Sequence, residues 1–136
     1  MAATRLRAIV VDDNELVRHA ICNILKEQPD IEVVCEAANG SDAVRLANQH
    51  QPDLVLMDIT MPTVNGFTAT RIIKQHLPQT QILVISQFNS PAFVRESLAA
   101  GASGFLSKEN VARDLIAEIR RIQRPPRQSG SGPAQI

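Results

Sequence analysis

The chain has 136 residues, 44% hydrophobic and 21% charged, with 14 basic residues against 14 acidic ones. That length suits one domain with a core of its own, and the composition excludes a disordered or fibrous chain. Zero net charge with four Phe and no Trp or Tyr argues against both a nucleic-acid-coating surface and a stacking platform for single strands.

Short apolar runs alternate with longer helical patterns along the chain. The runs are Leu6–Val11, Ile31–Ala37, Leu54–Met57, Ile82–Ile85 and Ala102–Leu106. Each is too short for an independent helix, and their near-continuous hydrophobicity is that of strands covered on both faces of a parallel sheet. After the first run, Leu16, Val17, Ala20, Ile21, Ile24 and Leu25 make a helical stripe, stopped by Pro29-Asp30. Ala43, Val44, Leu46 and Ala47 make a weaker one, ended at Gln51-Pro52. Phe67, Thr70, Ile73 and Leu77 follow, closed by Pro78; then Val94 and Leu98, opened by Ser90-Pro91 and closed by Gly101. Such residues are the ordinary helix start and stop signals. The last stripe is Val111, Leu115, Ile119 and Ile122.

Five strand–helix units predict an α/β domain with a doubly wound, five-stranded parallel sheet of flavodoxin-like order, 2-1-3-4-5. The domain is expected over residues 1–122. Residues 123–136, rich in Pro, Gly and Ser, are expected to form a flexible linker or tail. Cys22 and Cys35 form no CxxC pair and have no ligand partners in pattern, so they are read as small buried hydrophobes; His19, His50 and His76 are read as surface residues. No apolar stretch approaches the roughly 20 residues of a membrane span. Asp12 and Asp13 cut short any signal-peptide-like run, so a cytoplasmic location is expected.

In open α/β sheets, ligands bind outside the carboxyl ends of the strands. Those ends carry Asp12 and Asp13, then Asp58, Ser86 and Lys108. Alone, each residue fits an ordinary role: Asp12 or Asp13 as cap of the first helix, Asp58 in a loop, Ser86 at a turn, Lys108 as a solvated charge. Together, three carboxylates on one edge repel one another unless a cation joins them, and a hard oxygen site of this kind suits Mg²⁺. A carboxylate on a metal beside an ammonium and a hydroxyl suggests phosphoryl transfer, with Asp58 as acceptor because the third strand is central.

Four segments together resemble the receiver domain of two-component response regulators over about residues 5–122. They are Val10-Val11-Asp12-Asp13-Asn14, Leu54 to Pro62 with Gly66, Ile85-Ser86, and Gly101 to Lys108. The Gly-Ala-Ser-Gly-Phe-Leu stretch is most similar to the NarL/FixJ subfamily. The resemblance implies that Asp58 takes a phosphoryl group from a histidine kinase or a small phosphodonor. It implies that Asp13, Asp58 and the backbone carbonyl of Thr60 ligate Mg²⁺ directly, with Asp12 acting through water. Lys108 and Ser86 would hold phosphoryl oxygens, and movement of Ser86 would let Phe105 turn inward, altering the face built from the fourth helix, fifth strand and fifth helix. Only slow autodephosphorylation, not a dedicated enzymatic activity, would follow. Phosphorylation would promote homodimer formation or release of an output domain, and DNA would be reached only through such a domain, absent from this chain. No membrane partner is expected.

Three positions depart from the family pattern. Glu109 stands where many members have Pro, Gln87 where many have a small residue, and Phe105 where Tyr is common. Phe88 and Thr60 flank the expected path of hydrolytic water. Three other readings compete. An FMN carrier would need a phosphate loop where Asp12-Asp13 stand. An aspartyl-phosphate phosphatase would need an acid where Thr60 stands. The third is a receiver-fold interaction module that is never phosphorylated.

Overall fold

The computed structural model describes residues 5–59 and 65–123. Strands β1 (Leu6–Val11), β2 (Ile31–Ala37), β3 (Leu54–Asp58), β4 (Gln81–Ser86) and β5 (Gly104–Ser107) alternate with helices α1 (Glu15–Lys26), α2 (Gly40–His50), α3 (Gly66–His76), α4 (Pro91–Ala99) and α5 (Val111–Gln123). A single 3₁₀ turn, Lys108–Asn110, joins β5 to α5. The strands form one parallel sheet in the order β2-β1-β3-β4-β5, as the sequence predicts. The expected tail falls mainly on residues 124–136, outside the described residues.

Because side chains alternate along a strand, the sheet has two apolar faces. Ala8, Val10, Leu54, Leu56, Leu83 and Ile85 pack with Ile21 and Leu25 of α1 and Leu115 and Ile119 of α5. Ile9, Val11, Val55, Met57, Ile82 and Val84 pack with Ala43 and Ala47 of α2 and Ala69 and Ile73 of α3. Leu25 and Leu115 are fully buried, and burying a side chain of this size contributes about 1.5–3 kcal/mol.

Several expected elements shift. β3 and β4 each run one residue further than their apolar patterns, so Asp58 and Ser86 are strand residues rather than loop residues. β5 starts at Gly104, not Ala102. Gly101 turns the chain at φ +113° and the Ala102 N–H donates to Ser97 O at the end of α4, so the chain is still leaving the helix there. Leu16 does not join the buried stripe of α1. It is 80% exposed, and Cys22 occupies the buried position instead. On α4 the buried residue is Ser97, while Leu98 is half exposed.

Cys22 is buried as expected, but Cys35 is only half-buried because β2 is a sheet edge. Burial, with Glu36 close by, pushes the Cys22 thiol up to about 11. Of the histidines, His19 and His76 are exposed and His50 is half-buried. Among the described residues no helix is long and apolar enough to cross a membrane.

Candidate phosphoacceptor site

At the end of β1, Asp12 is 1% exposed, and its backbone is tied on both sides. Its N–H donates to Ala37 O (3.1 Å) and its carbonyl accepts from Arg18 Nη1 (2.8 Å). Its Oδ1 accepts from the Asn14 N–H (2.8 Å). The cap of α1 is therefore neither Asp12 nor Asp13 but Asn14, whose Oδ1 accepts from the Val17 N–H at 3.1 Å. Both acids are thereby released for the sheet edge, with Asp13 exposed. The signal for this cap was present in the sequence: Asn directly before a helical stripe, with Glu15 in the first turn.

Asp58, 2% exposed, closes β3 beside Ile85 of β4. The start of α3 lies directly against it. A Cβ on Gly66 would come within 2.3 Å of the Asp58 carbonyl oxygen and 2.4 Å of Ile59 Cα. Glycine is needed here for close backbone approach. Carboxylate oxygens of Asp12, Asp13 and Asp58 lie within 4.8 Å of one another.

Lys108 follows β5 and crosses the edge to these acids. Its Nζ stands 3.0 Å from Asp12 Oδ2 and 3.6 Å from Asp58 Oδ2, with the side chain 18% exposed. The Glu109 departure leaves this turn in ordinary geometry, with no cis peptide bond among the described residues. Ser86, fully buried, lies opposite Ser107 across the β4–β5 pairing, one residue before Lys108. Its Oγ accepts from the Phe88 N–H at 3.0 Å.

One expected participant, Phe105, stands apart from this cluster. Phe105 is half-buried on β5, opposite Val84, and packs against the core face shared with α2 and α3. The Thr60 carbonyl lies outside the described residues. Arg18 was not foreseen. It links the Asp12 carbonyl to Glu36 of β2 by a 2.8 Å ion pair, and no pattern in the sequence marks a helical arginine for that task.

Oxygen-only donors from three acids, grouped tightly with a partly enclosed ammonium beside them, fit a hard divalent cation such as Mg²⁺. The same edge offers a carboxylate nucleophile, a cation and a hydroxyl, the set required to receive a phosphoryl group.

The family model for the response regulator receiver domain matches residues 8–120. The transcriptional regulatory protein DegU of Brevibacillus brevis is 39% identical over 118 residues, covering 87% of this chain and 50% of that protein. The response regulator protein VraR of Staphylococcus aureus is 38% identical over 119 residues, covering 88% of this chain and 57% of that protein. The chain thus spans about half the length of the curated relatives it matches. The signal receiver domain of the NarL response regulator from Mycobacterium tuberculosis superposes with a TM-score of 0.82 at 31% identity, covering 90% of this chain and all of that one.

Proposed function

Since the chain belongs to the response regulator receiver domain family, with its relatives on the NarL/FixJ-like side, we propose that it is a phosphoacceptor whose acceptor is Asp58. One observation carries this reading: the Asp58 carboxylate ends the central strand within 3.6 Å of the Lys108 ammonium and in one cluster with Asp12 and Asp13.

In the step we assign, an Asp58 carboxylate oxygen attacks phosphorus and the bond from phosphorus to the donor breaks. With a phosphohistidine donor that is a P–N bond, and the imidazole leaves and takes up a proton. With acetyl phosphate it is a P–O bond, and acetate leaves. Lys108 offsets charge on a phosphoryl oxygen, and Ser86 donates its hydroxyl proton to another. Asp12, Asp13, Asp58 and the Thr60 carbonyl would hold Mg²⁺, which supplies charge neutralisation and in-line orientation.

The partner that delivers the phosphoryl group is a sensor histidine kinase, and the compartment is the cytoplasm. The acyl phosphate biases a two-state equilibrium of the face formed by α4, β5 and α5, with Ser86 and Phe105 as the moving residues. The adduct then decays by slow hydrolysis at the same site. Residues 124–136, after the end of α5, act as a linker to a DNA-binding output domain, and phosphorylation promotes homodimer formation. The similarity to the transcriptional regulatory protein DegU supports this downstream part.

Incubation with Mg²⁺ and acetyl phosphate, followed by intact mass, tests the reading. One phosphoryl adduct is expected, absent in Asp58→Asn. No adduct with any donor overturns the phosphoacceptor assignment and leaves a receiver-fold interaction module.

A further inference from the structure

Three of the four phenylalanines in the chain form a continuous stack beside the candidate site. Phe67 on α3 faces Phe93 on α4 with ring centroids 6.1 Å apart and planes 18° apart. Phe93 in turn faces Phe88, in the connection after β4, at 5.6 Å and 20°. Both ends of this stack lead back to the site. Phe67 directly follows Gly66, the residue packed on the Asp58 carbonyl. Phe88 supplies the N–H that Ser86 Oγ accepts.

The middle ring is itself well fixed. The Phe93 N–H donates to Ser90 Oγ at the start of α4, and its carbonyl accepts from Ser97 Oγ at 2.8 Å. Ser97 is the one buried residue of α4. A circuit therefore runs from Asp58 through Gly66, Phe67, Phe93 and Phe88 to Ser86, and it closes because β3 and β4 are paired neighbours.

A serine hydroxyl has one proton to donate and two lone pairs to accept with. When the Phe88 N–H occupies a lone pair, the proton remains available for a further acceptor. Phe88 is 45% exposed and belongs to a stretch without regular structure, so backbone pairing does not hold that N–H in place. Its ring is stacked on Phe93.

We propose that the Phe67–Phe93–Phe88 stack is a positioning element. It holds the Phe88 N–H on Ser86 Oγ and thereby presents the Ser86 hydroxyl as a donor toward the phosphoryl oxygen. This rests on the phosphoacceptor reading above. Phe93 and Phe88 are positioning residues that act through Ser86.

The test uses Phe93→Leu, which removes the middle ring without touching the acids or Lys108, and Phe88→Leu as a second variant at an exposed position. Two quantities are read: hydrogen exchange of the Phe88 amide without phosphodonor, and the rate of adduct formation with Mg²⁺ and acetyl phosphate. Exchange of the backbone amide at position 88 is expected to speed up about tenfold in both variants, and adduct formation to slow about fivefold, the scale of one hydrogen bond. Phe88→Tyr, which keeps the stack, recovers the rate lost in Phe88→Leu. In a Ser86→Ala background, Phe93→Leu causes no further slowing. Unchanged Phe88 exchange overturns the proposal, as does an equal slowing with and without the Ser86 hydroxyl. If the parent protein forms no adduct, the phosphoacceptor reading fails by itself, while the exchange measurement still decides whether the stack holds the Phe88 N–H.

Discussion

Lys108 places its ammonium 3.0 Å from Asp12 Oδ2, although β5 and β1 are separated in the sheet by β4 and β3. The lysine thus spans the width of the site and serves as the internal counter-charge of its acids. Removing one member of such an enclosed pair exposes the other to an uncompensated cost. Lys108→Met is expected to lose about 3 kcal/mol of stability in urea unfolding without divalent cation, the lower end for an enclosed pair because the lysine is partly solvated. Added Mg²⁺ should return much of the loss. A stability equal to the parent's in metal-free buffer would contradict this role.

Asp13 gives a prediction of opposite sign. It is the exposed member of the acid cluster, so replacing it leaves the core intact. Asp13→Asn relieves like-charge repulsion and should stabilise the metal-free protein by about 0.5–1 kcal/mol. The same change should shrink the rise in melting temperature that Mg²⁺ produces. Thermal scans with Mg²⁺ and with EDTA measure both effects, and a larger Mg²⁺ response in the variant would refute the assignment of Asp13 to the cation.

A pH dependence arises far from the site. Arg120 of α5 donates to both oxygens of Asp30 at 2.8 and 2.9 Å and holds that carboxyl below its usual range. Because the folded value is depressed, the stabilisation is complete above the unfolded value of about 3.9 and fades as pH falls through the folded value. Arg120→Ala should therefore be less stable than the parent near pH 7, and the gap should narrow below about pH 4. Urea midpoints across that range provide the check; a gap that widens in acid would exclude the pair as its source.

Gly66→Ala tests the contact between α3 and the acceptor strand. The new methyl would meet backbone atoms of Asp58 and Ile59 that cannot swing aside. A loss of about 3 kcal/mol is expected, at the upper end for overpacking, together with slower adduct formation because the Asp58 backbone must shift. Parent-like stability would mean that α3 can withdraw freely.

The alternation of apolar runs with helical stripes was sufficient to order the whole sheet, because strands covered on both faces cannot hide their hydrophobicity. The acids at 12, 13 and 58 were legible for the same reason, as polar residues ending such runs. Less visible was anything that depends on the phase of a helix or on a backbone donor. Leu16 extends an apolar stripe on paper but points to solvent, whereas Ser97 looks polar and is buried because its hydroxyl is satisfied by Phe93 O within the helix. The crossing of Lys108 to Asp12 arises from tertiary geometry and leaves no spacing signature. The hydrogen bond from the Phe88 N–H to Ser86 Oγ is local, two residues apart, but a serine before a loop does not by itself announce it.

The anchoring of α5 has a further consequence for distance. The helix starts at the rim that carries Lys108 and descends past the sheet, and its last turn is bolted at the opposite rim. There Arg120 grips Asp30, just before β2, and Arg121 Nη2 donates to Ser103 O, just before β5. Thirteen helical residues at 1.5 Å each make a rod of about 20 Å. Gln123, the last residue of that rod, thus stands at the rim opposite the one that carries Asp58 and Lys108, and α5 is the element that joins the two.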